Sequence, residues 1–182
     1  MNDQQTKRIS KFLSLVLRHK PQTIQLNLDE NGWADVDELL AKMANHRKAI
    51  TLDQLQYVVI NNDKQRFTFN DDQTKIRANQ GHSIDIQLNL EAQTPPETLY
   101  HGTATRFLDA IFEKGLIKGS RQHVHLSFDI ETATKVGKRH GKLAILTVQS
   151  GKMHEAGFEF YLSKNKVWLT DHIPPEYFEL LS

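Results

Sequence analysis

The hydrophobic pattern of the first third of the chain has two different periods, and each predicts a different kind of element. Apolar residues first recur at helical spacing, at Ile9, Phe12, Leu13 and Val16. This spacing predicts an amphipathic helix over residues 5–19. Pro21 requires that helix to end, because the residue before a proline is disfavoured in helical conformation.

Two further helices are indicated by capping residues. Asp35 stands three residues ahead of Glu38, and Thr51 stands three residues ahead of Gln54. An oxygen-bearing side chain followed at this distance by Glu or Gln can satisfy the first backbone N–H groups of a helix. We therefore expect helices of about ten residues to begin at both positions.

The period becomes two over residues 66–78. The string "RFTFN" alternates polar and apolar residues, "DDQ" predicts a turn, and "TKIRA" alternates again. This pattern predicts a β-hairpin with two different faces. The side chains expected to point inward are Phe67, Phe69 and Ile76, and those expected to point outward are Arg66, Lys75 and Arg77. Three helices followed by a two-stranded ribbon predict a winged-helix-like lobe over residues 1–90.

A second lobe is predicted over residues 99–182. Residues 91–98, "EAQTPPET", are polar and contain paired prolines, which is typical of a linker. Strands are then predicted at "TLYH", "HVHLS", "KLAILTV", "FEFYL" and "KVWLT", and helices at "ATRFLDAIFEKG" and "IETATKVGKRHG", closed by Gly115 and Gly141. The predicted fold class is α+β, with two lobes.

Composition excludes several classes of protein. The chain has 182 residues, of which 38% are hydrophobic, enough to build real cores. It has no cysteine, so disulfides, thiolate zinc sites and a cysteine nucleophile are excluded. The N-terminus lacks the apolar segment of a secretion signal, and "LAILTV" is too short to span a bilayer. We therefore expect a soluble, cytoplasmic protein.

The net charge of +1 indicates no partner by itself, but cations cluster locally as "KRISK", "RHK" and "KVGKRHGK". Arg18 and His19 stand side by side where the first helix must end. Cations in a last helical turn complement the helix dipole, which is the structural explanation for such a pair. Arg66, at the start of the hairpin, adds a second cation, for which a solvated surface position is the alternative. Together they suit an anion with several oxygens, because a guanidinium can bind phosphate through two hydrogen bonds.

The segment "RANQGHS", residues 77–83, gathers polar side chains around Gly81. These are Asn79, Gln80, His82 and Ser83. Glycine lets a backbone approach a ligand closely. The pattern is equally compatible with a binding segment and with an ordinary polar turn after a hairpin.

Two motifs of the second lobe carry further polar groups. In "YHGT", His101 is expected to end a strand and Thr103 to cap the following helix. The backbone at Gly102 could bind a carboxamide, and His101 could bind a ribose hydroxyl. No G-x-G-x-x-G after a strand, no P-loop and no G-x-S-x-G is present, so a Rossmann, P-loop or α/β-hydrolase site is not supported.

In "SRQHVHLS", Arg121 precedes a strand on which His123, His125 and Ser127 share one face. The His-x-His pair could bind zinc, but there is no cysteine and no convincing acidic third ligand, so we expect no metal. Histidines satisfied within the strand are the structural alternative.

The ordered set "LRHKP", "QRF", "RANQGHS", "YHGT" and "RQHVHLS", with "VWLTDHIPPEYF" near the end, resembles the RNA 2′-phosphotransferase family of the KptA type. The motifs are short, but their joint order over nearly the whole chain is specific. The resemblance implies an N-terminal winged-helix lobe that binds RNA and a C-terminal lobe similar to ADP-ribosyltransferases, with the active cleft between them. We expect a monomer without a membrane partner.

The reaction implied by the resemblance consumes NAD⁺ as a co-substrate. Family members remove an internal 2′-phosphate from RNA, as at a tRNA splice junction. The phosphate attacks the nicotinamide ribose and expels nicotinamide. The ribose 2″-hydroxyl then attacks phosphorus and releases 2′-hydroxyl RNA and ADP-ribose 1″,2″-cyclic phosphate.

The resemblance also implies roles for individual residues. Catalytic roles fall on Arg18, His19, Arg66 and Arg121, and binding of NAD⁺ falls on His101, Gly102, Thr103, His125 and Ser127. Gln80, His82 and Ser83 are expected to bind substrate, with no individual duty assigned. The arginines would neutralise charge in both steps without a metal. His19 could transfer a proton, because an imidazole titrates at about pH 6.5.

Two other functions stay open at the level of sequence. One is an ADP-ribosyltransferase that caps terminal phosphates of nucleic acids and stops after the first step. The other is a nucleic-acid-binding winged helix with an inert second lobe. Protein modification is disfavoured, because many protein-modifying ADP-ribosyltransferases carry a glutamate on a late strand and "KNKVWLT" has none.

Overall fold

The computed structural model describes residues 1–62 and 64–181, and its chain divides into two compact units, Met1–Asn89 and Leu90–Ser182. The class is α+β, as expected. Residues 91–98, which we expected to be a linker, belong to the second unit. Gln93 donates from its backbone N–H to the Phe160 carbonyl at 2.7 Å, and the Ser150 hydroxyl donates to the Pro96 carbonyl at 2.6 Å.

The first unit contains the three predicted helices, and the second and third begin at the caps predicted from the sequence. They are α1 (Asp3–Arg18), α2 (Val36–Asn45) and α3 (Leu52–Ile60). Asp35 and Thr51 accept from the backbone N–H groups of Glu38 and Gln54, which confirms both predicted caps. Helix α1 starts two residues earlier than expected, because Asn2 forms a capping box with Gln5.

The predicted hairpin is present, and a short strand extends it. Strands β1 (Ala34–Asp35), β2 (Phe67–Phe69) and β3 (Lys75–Ala78) form an antiparallel sheet in the order β1-β3-β2. Phe67 and Ile76 lie in the core, as expected. The outward position of Arg77 needs a correction. Its guanidinium lies 4.5 Å from the ring centroid of Trp33, so this side chain is half-buried rather than solvated.

The core of the first unit is formed by the apolar face of α1 together with the other helices and the hairpin. Leu13, Val16 and Leu17 of α1 have no exposed surface. Burying each such side chain stabilises the unit by about 2 kcal/mol. These buried residues fix the last turn of α1 against the core of the first unit.

As far as residue 181, the second unit is built from two three-stranded antiparallel sheets, a two-stranded ribbon and three α-helices. Its strands are β4 (Leu99–Ala104), β5 (Leu116–Ile117), β6 (Val124–Leu126), β7 (Leu143–Val148), β8 (Tyr161–Leu162), β9 (Trp168–Thr170), β10 (His172–Ile173) and β11 (Phe178–Leu180), and its helices are α4 (Leu108–Lys114), α5 (Ile130–Gly137) and α6 (Ser150–Glu155). The sheet orders are β11-β7-β4 and β6-β9-β8, and β10 pairs with β5. A backbone bridge between Tyr100 and Ser127 connects β4 to the end of β6.

Three sequence-based expectations are wrong in this unit. Thr103 does not cap a helix, because β4 continues through it and pairs with β7 as far as Ala104. Helix α4 begins only at Leu108, after a turn of 3₁₀-helix, although it closes at Gly115 as predicted. Helix α5 ends at Gly137 rather than at Gly141.

The contact between α5 and β4 depends on Gly102. A Cβ atom at this glycine would lie 1.8 Å from the Ala133 carbonyl oxygen. Only a residue without a side chain lets the helix approach the strand this closely. Within the described residues, no helix is both long and apolar enough to cross a membrane.

Candidate active site

The first cluster of predicted site residues lies at the end of α1. Arg18 is the last helical residue, and His19 caps the helix with its backbone N–H donating to the Leu15 carbonyl at 3.1 Å. Arg18 Nη2 donates to the backbone carbonyl of Arg66 at 3.3 Å, although the two residues are 48 positions apart. The structure therefore brings Arg18, His19 and Arg66 together. That they bind one anion stays a prediction.

Arg66 is held by a polar side chain that sequence reasoning missed. Arg66 Nη1 donates to Asn62 Oδ1 at 3.4 Å, and the buried Asn62 donates from Nδ2 to the Ser10 hydroxyl of α1 at 2.8 Å. This chain of hydrogen bonds ties the hairpin arginine to α1. Nothing in the spacing of Asn62 indicated this, because it follows the end of α3 like an ordinary loop residue.

The segment 79–83 packs directly against the Arg18–His19 pair. Ser83 donates from its backbone N–H to the Arg18 carbonyl at 2.9 Å, and its hydroxyl is hydrogen-bonded to His19 Nδ1 at 2.9 Å. At the other end of the segment, the backbone N–H of Asn79 donates to the Arg66 carbonyl at 2.9 Å. Gly81 allows the turn between them with a φ of +83°. The segment therefore positions Arg18, His19 and Arg66.

His82 is the most deeply buried polar residue of this cluster. Its side chain has no exposed surface, and neither ring nitrogen has a hydrogen-bond partner among the described residues. Burial, with smaller contributions from the nearby charges of Arg18, His19 and Arg77, lowers the pKa of His82 to about 3. The ring is therefore neutral at neutral pH.

Two side-chain amide oxygens of the same segment are also buried without a hydrogen-bond partner among the described residues. Asn79 Oδ1 and Gln80 Oε1 are buried and have no partner within residues 1–62 and 64–181. A buried polar atom without a partner costs about 1–3 kcal/mol. Such atoms therefore favour hydrogen bonds with a water molecule or with a polar group of a bound ligand. This arrangement is compatible with the expected substrate role of Gln80 and His82.

The second cluster lies on β4 and β6. These strands pair through Tyr100 and Ser127, and among the described residues the bridge is confined to that pair. By register the next backbone pair would be Gly102 with His125. The His125 carbonyl instead accepts from His101 Nδ1 at 3.0 Å. The two strands therefore stop pairing beside Gly102.

The backbone groups of Gly102 face this opening. In an antiparallel ladder, alternate residues direct both N–H and C=O to the same edge. Tyr100 bonds to Ser127, so Gly102, two residues later, points to that edge and away from β7. The opposite residue on β7, Ile145, uses its carbonyl to accept from Leu181, which agrees with this alternation. Gly102 thus presents a donor and an acceptor side by side.

His101 and Thr103 share the face of β4 opposite to α5. A carbonyl oxygen can only accept, so His101 Nδ1 carries a proton in its bond to His125. Burial lowers the pKa of His101, so the ring is neutral at neutral pH and its Nε2 can accept a hydrogen bond. The Thr103 side chain is buried.

Arg121 supplies the positive charge of this cluster and contacts His125. Arg121 Nη1 lies 3.3 Å from His125 Nδ1. A guanidinium only donates, so Nδ1 accepts and the proton of His125 lies on Nε2. His123, His125 and Ser127 are partly exposed and alternate with the buried Val124 and Leu126, as the strand pattern predicts. Within residues 1–62 and 64–181, no group of three or more His, Asp or Glu residues could hold a metal ion.

Comparison with known proteins places this chain in a family. The family model described as "RNA 2'-phosphotransferase, Tpt1 / KptA family" matches residues 4–172, which include every predicted site residue. The chain belongs to the RNA 2′-phosphotransferase family.

Curated relatives match this chain over almost their whole length. A protein of Flavobacterium johnsoniae named "Probable RNA 2'-phosphotransferase" is 59% identical over 182 residues, which is 100% of both chains. Proteins with the same name from Hahella chejuensis and Acaryochloris marina are 56% and 51% identical, covering 98% and 97% of this chain and 96% and 97% of their own.

Proposed function

We propose that this RNA 2′-phosphotransferase family member removes an internal 2′-phosphate from RNA and transfers it to the ADP-ribose part of NAD⁺. Family membership supports the RNA substrate and the phosphate. The observation that carries the NAD⁺ part is the paired donor and acceptor of Gly102 where β4 and β6 stop pairing. A nicotinamide carboxamide offers the complementary acceptor and donor.

The residues around Gly102 fit the rest of the nicotinamide riboside. A ribose hydroxyl can donate to the neutral His101 at Nε2. His125 Nε2–H and the Ser127 hydroxyl add polar groups on the neighbouring strand, and Arg121 supplies a positive charge for a phosphate. When bound, NAD⁺ supplies an activated ribose carbon and a leaving group that departs as neutral nicotinamide.

The cluster at the end of α1 fits the RNA 2′-phosphate. Arg18 and Arg66 are adjacent, and guanidinium groups bind phosphate oxygens without a proton being exchanged. A phosphate monoester is already anionic at neutral pH, so its attack on the ribose needs positioning and charge neutralisation rather than a general base.

The overall change balances in two steps. In the first, a 2′-phosphate oxygen forms a bond to the ribose C1″ and the bond to nicotinamide breaks, its electron pair leaving with nicotinamide. In the second, the 2″-oxygen forms a bond to phosphorus and the bond between phosphorus and the RNA 2′-oxygen breaks. The 2″-hydroxyl loses a proton, and the RNA 2′-oxygen gains one.

His19 is the group that we assign to proton transfer in the second step. Because Ser83 binds His19 at Nδ1, proton exchange with the substrate falls to Nε2. Arg18, Arg66 and Arg121 stabilise the charge that accumulates on the phosphorus oxygens during in-line displacement.

The test is to incubate the protein with a 2′-phosphorylated oligonucleotide, with and without NAD⁺, and to identify all phosphorus-containing products. The proposal predicts 2′-hydroxyl RNA and ADP-ribose 1″,2″-cyclic phosphate only when NAD⁺ is present. Inorganic phosphate formed without NAD⁺ would contradict it. A stable ADP-ribosylated RNA as the final product would instead favour an enzyme that caps phosphates and stops after the first step.

A further inference from the structure

A second positively charged feature of the first unit lies towards the other end of α1. A groove of about 220 Å³ is lined there by Arg8 of α1 and by Arg47 and Lys48 from the loop between α2 and α3. All three side chains are exposed. No aspartate or glutamate is among the described residues that line the groove, so its charged groups are all positive.

Two glutamines lining this groove add donors rather than acceptors. The side-chain oxygens of Gln5 and Gln54 accept from the backbone N–H groups of Asn2 and Thr51, at 3.2 and 3.0 Å. These oxygens are therefore engaged in the helix caps, and the amide NH₂ groups are what the side chains can offer to a ligand. A surface of cations and donors selects a ligand rich in acceptor oxygens and negative charge.

A side-chain contact of Lys48 and the backbone conformation of Arg47 distinguish two of these cations. Lys48 Nζ lies 5.0 Å from the ring centroid of Phe12 on α1, a cation–π contact that keeps the ammonium beside the helix. Arg47 has a φ of +56°, the left-handed region in which a chain leaving a helix normally has glycine or asparagine. The chain places an arginine where the backbone favours a smaller residue.

Size and position favour a nucleic-acid backbone over a small molecule. The groove is smaller than the roughly 300–1,000 Å³ of typical small-molecule sites. Arg8 and Arg18 lie on the same helix, separated by about 15 Å along its axis and about 80° around it. At about 3.4 Å per stacked nucleotide, this distance corresponds to about four nucleotides.

We propose that this groove binds the sugar–phosphate backbone of the RNA substrate about four nucleotides from the 2′-phosphate. The inference rests on the proposed function, because that function makes RNA the ligand of this unit. It follows that the enzyme prefers RNA that extends beyond the reacting dinucleotide. This preference weakens as salt rises, because phosphate contacts release bound counterions.

The test compares a 2′-phosphorylated dinucleotide with a single-stranded 2′-phosphorylated oligonucleotide long enough to reach the groove. The groove variant carries Arg8→Gln, Arg47→Gln and Lys48→Gln. The matched control carries Lys114→Gln, Lys152→Gln and Lys164→Gln, which removes three exposed cations from the second unit.

The readout is the ratio of kcat/KM for the oligonucleotide to kcat/KM for the dinucleotide. In the groove variant this ratio is expected to fall about tenfold. The slope of the logarithm of the ratio against log salt concentration is expected to become shallower by about 2, because three phosphate contacts are lost and each contributes about 0.7 to the slope. The control is expected to keep the wild-type ratio. Equal ratios in the groove variant and the control would overturn the proposal.

Failure of the proposed function gives a different result. In that case the wild type converts neither substrate, and the groove is tested by anisotropy of a fluorescent oligonucleotide of the same sequence without the 2′-phosphate. Weaker binding by the groove variant than by the control supports the groove. Equal binding by wild type, groove variant and control overturns it.

Discussion

At the end of α1, a single residue fixes both members of the Arg-His pair. Ser83 holds the Arg18 carbonyl with its backbone N–H and the His19 ring with its hydroxyl. The sequence predicted Ser83 as a substrate-binding residue; the hydrogen bonds indicate a positioning role. His19 presents Nε2 in a fixed direction as long as this contact holds.

Removing the Ser83 hydroxyl tests this positioning role. We expect Ser83→Ala to lower kcat about tenfold with little change in KM for RNA, because the imidazole loses its orientation. Ser83→Thr, which retains a hydroxyl, is expected to restore most of the rate. Steady-state kinetics of both variants provide the measurement. A Thr variant as slow as the Ala variant, or an Ala variant as fast as wild type, would contradict the role.

Substitution of the three predicted catalytic arginines is expected to slow the reaction. Arg18→Gln, Arg66→Gln and Arg121→Gln are each expected to slow formation of 2′-hydroxyl RNA by about 10²–10³-fold, because each removes a donor that we propose to stabilise the transition state. ADP-ribosylated RNA is expected to accumulate in single-turnover experiments.

Arg106→Gln is the matched control for these substitutions. Arg106 is an exposed arginine of the second unit whose guanidinium lies 4.7 Å from the ring centroid of Phe107. We expect this variant to turn over like wild type. Near wild-type turnover in the three site variants, with unfolding temperatures also unchanged, would remove them from the mechanism.

His82 makes the stability of the protein depend on pH. Burial lowers the pKa of His82 to about 3 in the folded state, whereas an unfolded histidine titrates at about 6.5. Unfolding therefore takes up a proton between these values, so stability is fully present above about pH 6.5 and is lost as the pH falls towards 3.

The size of this effect follows from the two pKa values of His82. Between pH 7 and pH 5, we expect the wild type to lose about 2 kcal/mol more unfolding free energy than His82→Gln. Urea unfolding at several pH values measures the difference. His154→Gln removes an exposed histidine and is expected to retain the wild-type pH dependence. Identical pH dependence in wild type and His82→Gln would show that His82 is not buried as described.

At the scale of elements, β4 combines packing and binding in consecutive residues. Gly102 lets α5 pack on one face of the strand, while its backbone groups point to the edge where β6 departs. His101 lies on the opposite face and donates a hydrogen bond from Nδ1 to the His125 carbonyl. The same glycine therefore serves the core and the candidate NAD⁺ site.

Substitution of this glycine is expected to be severe. In Gly102→Ala the new Cβ would meet the Ala133 carbonyl oxygen at 1.8 Å, so α5 must shift. We expect a loss of about 3 kcal/mol in unfolding free energy, measured by urea denaturation. Gly119→Ala is the control: nothing lies within 4 Å of its Cβ, so only its φ of +60° costs energy, about 1 kcal/mol. A smaller loss at Gly102 than at Gly119 would contradict this packing.

Elements with local signals could be predicted from the sequence, and those set by distant contacts could not. The caps at Asp35 and Thr51 and the hairpin depend on residues a few positions apart, and all three were predicted. Strand β4 was extended by its pairing with β7, about forty positions away, so the predicted helix start at Thr103 was wrong. Strand β1 is only two residues long and has no readable period.

At the scale of the whole molecule, the order of the motifs predicted the family, and the structure shows how each unit gathers its own set. The first unit brings Arg18, His19 and Arg66 together, and the second brings His101, Gly102, Arg121 and His125 together. Sequence could name these residues. It could not indicate that Asn62 anchors Arg66 or that His101 interrupts the ladder between β4 and β6, because both depend on tertiary contacts.

The stoichiometry of the reaction tests whether phosphate removal consumes NAD⁺. Nicotinamide release and loss of RNA 2′-phosphate are followed together in one reaction with wild-type protein. The proposed reaction releases one nicotinamide for each 2′-phosphate removed, and we expect no nicotinamide release beyond background when the RNA lacks the phosphate. Removal of the 2′-phosphate without release of nicotinamide would contradict it.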